Sequence, residues 1–71
     1  MEKTDTGYNV ETEDNGVLHF VIGCEYSGES RHIDSYLKRV TGKLRHSKKW
    51  GLYIVADDGT YIIHENTLRY L

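Results

Sequence analysis

Hydrophobic and polar residues alternate along the first third of the chain with the period of two that is typical of β-strands. This pattern predicts a weak strand from Tyr8 to Glu13 and a stronger strand from Val17 to Tyr26. Asn15-Gly16 between them predicts a hairpin, because both residues tolerate the positive φ angle of a tight turn. The polar residues 1–7 contain few apolar anchors, and we expect them to fray.

The alternation stops at Ser27-Gly28-Glu29-Ser30, which predicts the start of a helix, because serine caps free backbone amides. Apolar residues then recur at spacings of three and four, as on one face of an amphipathic helix. They are Ile33, Tyr36, Leu37, Val40 and Leu44. We therefore predict a helix over about 31–46. Gly42 costs about 1 kcal/mol in a helix interior, so its regular part is expected to end near Thr41.

A second hairpin is predicted near the end of the chain. Two β-rich segments, 50–56 and 60–64, flank Asp57-Asp58-Gly59, whose Asp-Gly pair favours a tight turn. Asn66 can cap a final short turn or helix that ends at Leu71, although the same residues could add a strand.

The resulting order ββαββ predicts an α+β fold, a two-layer sandwich with one amphipathic helix on a mainly antiparallel four-stranded sheet and a short C-terminal turn or helix. A chain of 71 residues is expected to form a single domain over 1–71.

This fold leaves apolar residues without cover, because one helix shelters only one face of a sheet. The second hairpin is apolar on both faces, and burying each large aliphatic side chain is worth about 1.5–3 kcal/mol. Four kinds of cover remain open: the C-terminal segment, curling of the sheet into a small barrel, a second copy of the chain, or another protein.

Charge is separated along the chain although the net charge is only −2. Residues 1–30 hold one basic and seven acidic residues, whereas residues 31–49 hold seven basic residues and one acidic residue. The single cysteine, Cys24, can form no internal disulfide, and the chain has no apolar run long enough to span a bilayer. We therefore expect a cytoplasmic protein without a membrane partner.

Candidate chemistry is sparse. His32 and His46 would lie about 21 Å apart on a helix, and His19 with His64 would supply only two ligands where zinc takes three or four. The strand pattern makes Cys24 a small core residue rather than a nucleophile. We therefore predict no enzyme activity, no metal, no cofactor and no small-molecule substrate.

The uncovered sheet face leads to the main functional hypothesis, a small non-enzymatic interaction module that binds a partner protein or a second copy of itself. Such a module could regulate or inhibit its partner. The predicted protein-binding residues are Tyr53, Val55, Ile62, Arg39 and Lys43.

The alternative is a nucleic-acid-binding regulator that uses the basic segment 31–49 as a helix. Its phosphate-contacting residues would be Arg31, Lys38, Arg39, Lys43, Arg45, Lys48 and Lys49. The sequence pI of about 6.0 is lower than is usual for a dedicated nucleic-acid-binding domain.

Overall fold

A computed structural model describes residues 1–31 and 38–71 of the chain, and this part is all-β, with seven strands and no helix. The strands are β1 Glu2–Lys3, β2 Gly7–Thr12, β3 Gly16–Val21, β4 Glu25–Ser30, β5 Arg39–Ser47, β6 Gly51–Ala56 and β7 Gly59–Arg69. Strands β1, β2 and β3 form one antiparallel sheet, and β4, β5, β6 and β7 close into an antiparallel barrel. The predicted α+β sandwich is therefore wrong.

The first predicted hairpin is confirmed. Strands β2 and β3 pair from Gly7 opposite Val21 to Thr12 opposite Gly16, which has a positive φ angle of 67°. The Thr12 hydroxyl holds the turn, since it donates to the Gly16 carbonyl at 2.8 Å and accepts from the Asn15 amide at 3.1 Å. In the segment that we expected to fray, Glu2 and Lys3 pair with β2.

The long strand predicted over 17–26 is two strands, and the prediction was wrong at the point where they separate. β3 ends at Val21, Gly23 adopts a φ angle of 96°, and β4 begins at Glu25. The connecting turn is fixed to β5 by two backbone hydrogen bonds, from the Gly23 amide to the Leu44 carbonyl and from the Leu44 amide to the Cys24 carbonyl. Cys24 lies on this turn and is exposed, so it is not the core residue that its parity predicted.

The predicted helix over 31–46 is replaced by a strand in its second half. Residues 38–46 are described, and from Arg39 onward they belong to β5. Inward and outward residues alternate there: Val40, Gly42 and Leu44 are buried, while Lys43 and Arg45 are exposed. The first half of the predicted helix, 32–37 with Ile33, Tyr36 and Leu37, lies outside the described residues. Ser27 and Ser30, the predicted capping residues, belong to β4.

Two glycines lie where the barrel has little room for a side chain. A Cβ atom on Gly42 would lie 2.2 Å from the Val55 carbonyl oxygen of β6. A Cβ atom on Gly28 would meet the side chains of Ile63 and Leu68 at 3.3 and 3.4 Å. The barrel interior narrows as strand number falls, so β4 needs small residues where it crosses the centre.

The second predicted hairpin is confirmed, with Ala56 opposite Gly59 across the β6–β7 turn. The prediction of a C-terminal turn or helix is wrong, because β7 continues to Arg69. β7 carries an irregularity opposite Ser27 and Glu29 of β4. There the Thr67 hydroxyl accepts from the Glu29 amide at 2.9 Å and donates to the His64 carbonyl at 2.6 Å.

One apolar core joins the sheet to the barrel. Its most buried large side chains are Phe20 from β3, Leu44 from β5, Ile54 from β6 and Leu68 from β7. Of the four kinds of cover left open by the sequence, two are seen in the structure: the sheet curls into a barrel, and Leu68 of the C-terminal segment is buried in the core. Within residues 1–31 and 38–71, no helix is long and apolar enough to cross a membrane.

Candidate binding face

Strands β5, β6 and β7 present one outer surface that carries most of the residues predicted to bind a partner. Arg45 lies opposite Tyr53, and Tyr53 lies opposite Ile62. In the next row, Lys43 lies opposite Val55. Because residues paired across antiparallel strands project to the same side, these side chains share one face. We call it the β5–β7 face, defined as Lys43, Arg45, Tyr53, Val55 and Ile62.

Trp50 extends the β5–β7 face at the β5–β6 turn. Its ring packs nearly perpendicular to the Tyr53 ring, with centroids 5.5 Å apart and an interplanar angle of 87°. The Trp50 amide donates to the Ser47 hydroxyl at 3.0 Å, which holds the turn. The Trp50 side chain nevertheless remains 43% exposed. An aromatic ring of this size, oriented by a neighbour yet open to solvent, can accept a further flat or apolar group.

A shallow cleft of about 310 Å³ lies beside Trp50 and is lined by Arg31, Lys49, Trp50 and Ile62. The Arg31 amide donates to the Ile62 carbonyl at 2.7 Å, so the end of β4 is fixed against β7 at the cleft. The cleft therefore combines an indole ring and an aliphatic side chain with a guanidinium and an ammonium group.

Two of the predicted basic site residues, Lys38 and Arg39, form hydrogen bonds and ion pairs within the protein. The Lys38 ammonium donates to the Tyr61 hydroxyl at 3.0 Å and to the Asp58 carboxylate at 3.1 Å. The hydrogen bond to Tyr61 and then that to Asp58 raise the pKa of Lys38 above its ordinary value. The hydrogen bond from Lys38 lowers the pKa of Asp58, and a hydrogen bond from Tyr61 lowers it further. The charged Lys38 side chain is thus paired with the Asp58 carboxylate at the β6–β7 turn.

The Arg39 side chain lies on the outside of the barrel and is bound at the irregular β4–β7 pairing. Its guanidinium donates to the Ser27 hydroxyl at 3.0 Å and to the Thr67 carbonyl at 3.2 Å, and it lies 3.7 Å from the Glu29 carboxylate. Arg39 therefore joins β5 to β4 and β7, and it is not part of the β5–β7 face.

The structure brings together four of the five predicted protein-binding residues, Tyr53, Val55, Ile62 and Lys43. Of the predicted phosphate-contacting residues, Arg45 and Lys43 lie on β5, Lys48 and Lys49 on the following turn, and Arg31 at the cleft. Strands and a turn carry these residues. The predicted basic helix is absent from residues 38–49, the described part of that segment.

Trp50 was missing from the predicted site residues. It directly follows Lys48-Lys49 and precedes a glycine, and an aromatic residue in such a polar turn is a recognisable sign of an exposed ring. Arg31 was predicted as a helix residue, and its position beside Trp50 depends on β4–β7 pairing that sequence spacing does not reveal.

Charge separation along the chain becomes separation in space. Residues 38–53 hold six basic residues and no acidic residue, and no ion pair joins those on the β5–β7 face to a carboxylate among the described residues. The first sheet and its turns carry exposed acidic side chains. These are Glu2, Asp5, Glu11, Glu13 and Asp14. The β5–β7 face therefore carries Lys43 and Arg45 without an ion pair, and Glu25 of β4 is the acidic cross-strand neighbour of Lys43.

The described residues contain no group of three or more His, Cys, Asp or Glu side chains that could hold a metal ion. His19 is engaged within the first sheet, where its ring nitrogens bond Thr6 at 3.0 Å and Asn9 at 2.9 Å. The ring of His46 packs 4.9 Å from that of Tyr8. The arrangement that stands out is thus the basic and aromatic surface of the barrel.

Comparison of the chain with protein-family models, curated proteins and solved structures finds no match to any of them.

Proposed function

We propose that this protein is a non-enzymatic binding module that recognises an anionic macromolecular partner through the β5–β7 face. The observation that carries the proposal is the concentration of Arg31, Lys43, Arg45 and Lys49 near exposed Trp50 and Val55. No ion pair joins these four cations to a carboxylate among the described residues, although Glu25 is the cross-strand neighbour of Lys43. Unpaired cations beside apolar side chains favour a partner that brings both negative charge and flat or apolar groups.

Each partner hypothesis drawn from the sequence supplies the negative charge. A partner protein would present acidic residues, a second copy of the chain would present its acidic first sheet, and a nucleic acid would present phosphates. We propose a cytoplasmic location with this function, since Cys24 is the one cysteine and is not in a disulfide.

The amount of exposed apolar surface argues for a partner held largely by charge. Tyr53 and Ile62 are only partly exposed, and Val55 is 42% exposed. A standard protein interface buries about 800 Å² per partner around an apolar centre. The apolar part of the β5–β7 face is small beside that requirement, so its cations must contribute much of the recognition.

The proposal is tested by fluorescence anisotropy with two labelled anionic probes, a polyglutamate peptide and an oligothymidylate, at about 50 and 200 mM salt. Binding of at least one probe that weakens at the higher salt is expected. The double substitution Lys43→Gln with Arg45→Gln should weaken it at least tenfold. The control is Lys3→Gln, which removes one exposed charge from β1, and it is compared with each β5 substitution alone as well as with the pair.

Two results would contradict this function. One is that neither probe binds at the lower salt concentration. The other is that Lys3→Gln weakens binding as much as the double substitution on β5, which would indicate a diffuse charge effect rather than a defined face.

A further inference from the structure

We infer that the cleft beside Trp50 receives an unpaired base of a single-stranded nucleic acid whose phosphates contact the basic residues around it. This inference rests on the proposed function and names the partner of the same face. It uses Trp50, Arg31, Lys49 and Ile62, which line one cleft.

The chemistry of the cleft matches the two parts of an exposed nucleotide. The indole of Trp50 and the side chain of Ile62 offer apolar surface to a flat base, and Arg31 and Lys49 in the same cleft offer cationic groups to a phosphate. Proteins that bind single strands combine such cations with aromatic side chains on which bases stack, and every base has a face that can stack. A volume of about 310 Å³ is at the lower end of the range for small-molecule sites, which suits one base rather than a large ligand.

Two further cations, Arg45 and Lys43, lie on the β5–β7 face beyond the cleft. From the cleft, the row Ile62, Tyr53 and Arg45 crosses three neighbouring strands. Because strands lie about 4.8 Å apart, Arg45 is about 10 Å from Ile62 across the sheet. Lys43 and Val55 form the next row. An extended strand could thus place a base at Trp50 and further phosphates near Arg45 and Lys43.

A duplex and an acidic peptide each satisfy only half of this site. In a duplex the bases are already stacked on one another, so its phosphates could contact Arg45 but no base could reach Trp50. A purely acidic peptide such as polyglutamate could pair with Arg31 and Lys49, but its carboxylates make no use of the indole face. The pairing of aromatic and basic groups therefore favours an unpaired nucleic-acid strand over both.

Trp50 reports directly on this contact, because it is the only tryptophan in the chain. The experiment titrates the protein at about 50 mM salt with oligothymidylate, oligouridylate, a DNA duplex and polyglutamate, following Trp50 fluorescence and the anisotropy of each labelled probe. Both single strands are expected to quench Trp50, and the duplex and polyglutamate are expected to bind more weakly without quenching it. Thymidylate and uridylate together show whether the 2′-hydroxyl group matters.

Substitutions then separate stacking from charge. Trp50→Ala should weaken single-strand binding about 5- to 150-fold, the range expected when one base loses its aromatic partner. Trp50→Tyr should recover most of the affinity. The matched control Val17→Ala removes an exposed apolar side chain from β3 and should leave affinity unchanged. Circular dichroism verifies that each variant is folded.

Equal affinity for duplex and single strand, or a Trp50→Ala variant that binds single strands normally, would overturn this inference and leave the proposed function standing. Preferential binding of polyglutamate would do the same and would indicate an acidic protein partner. Absence of binding to all four probes would overturn both.

Discussion

The role of each basic residue in this protein follows from what its side chain contacts. Arg39 and Arg45 lie on the same strand, six residues apart, and both project away from the barrel centre. Arg39 binds Ser27, Glu29 and the Thr67 carbonyl, whereas no hydrogen bond or ion pair joins the Arg45 side chain to a described residue. The first arginine is thus structural and the second is available to a partner.

This difference predicts opposite effects of one substitution at the two sites. Arg39→Met should lower the free energy of unfolding by about 1–3 kcal/mol, because it leaves polar partners of a charged donor unsatisfied. Arg45→Met should change it by less than about 0.5 kcal/mol, as is usual at exposed sites. Urea denaturation measures both values, and anisotropy with a single-stranded probe should show the larger loss of affinity for Arg45→Met. The reverse pattern would show that the assignment of the two arginines is wrong.

At the level of single residues, the sequence identified most of the candidate face but not its limits. Tyr53, Val55 and Ile62 were predicted because they are apolar in a hairpin with no cover, and the register places them together. Arg39 was grouped with Lys43 through an assumed helical geometry. Its true partners, Ser27 and Thr67, are 12 and 28 residues away in sequence, beyond the reach of local spacing.

Strand β5 shows why the period of an element can be misread. Val40 and Leu44 are four residues apart, a spacing that places two side chains on one face of a helix and equally on one face of a strand. What decides between the two is pairing with β4 and β6. Gly42 was a local sign against the helix, since glycine is unfavourable inside helices and marks close backbone approach in strands.

Gly42→Ala therefore gives opposite predictions for the two structures. In a helix it would stabilise the protein by about 1 kcal/mol. In β5 the new Cβ atom would lie 2.2 Å from the Val55 carbonyl, and we expect destabilisation of about 1–3 kcal/mol. The control is Thr41→Ala, which changes an exposed residue on the same strand. Urea denaturation of both variants measures the sign, and a more stable Gly42→Ala protein would contradict the barrel.

Both hairpins could be predicted because turn chemistry is local. Asn15-Gly16 and Asp57-Asp58-Gly59 act within four or five residues, and β2–β3 and β6–β7 pair around them. The barrel could not be predicted in the same way, because its closing pair joins β4 to β7 across more than thirty residues. Ser27 to Ser30 also have low strand propensity, and they form a strand through pairing with β5 and β7, with Gly28 where a side chain would meet Ile63 and Leu68.

At the scale of the whole molecule, aromatic side chains connect the first sheet to the barrel. Phe20 of β3 packs edge-on against Tyr26 of β4, with ring centroids 4.9 Å apart, and lies 5.3 Å from the ring of Tyr70. The hydroxyls of these tyrosines also bond the β3 backbone: Tyr26 accepts from the Val21 amide at 2.9 Å, and Tyr70 donates to the His19 carbonyl at 2.7 Å. The outer edge of β3 is therefore partly capped, which limits pairing with other chains.

Charge and backbone contacts reinforce this connection. Arg69, at the end of β7, pairs with Asp14 in the β2–β3 turn, and the Glu13 amide donates to the Asn66 carbonyl at 2.9 Å. The acidic first sheet is thus held against the barrel, on which the basic β5–β7 face lies. Because the acidic first sheet and the basic β5–β7 face are fixed relative to each other, we expect the protein to approach a charged partner in a preferred orientation.

The shared core makes a final prediction about folding. Phe20 is fully buried between the sheet and the barrel, so Phe20→Leu should leave a cavity that destabilises both. We expect the free energy of unfolding to fall by about 1–3 kcal/mol. Trp50 fluorescence reports the barrel alone, and near-ultraviolet circular dichroism of the tyrosines reports both the barrel and its junction with the sheet, where Tyr26 and Tyr70 contact Phe20. If the two parts form one cooperative unit, both signals should shift to lower urea by the same amount. A shift in the tyrosine signal alone, with the Trp50 transition unchanged, would show that the barrel folds independently of the first sheet.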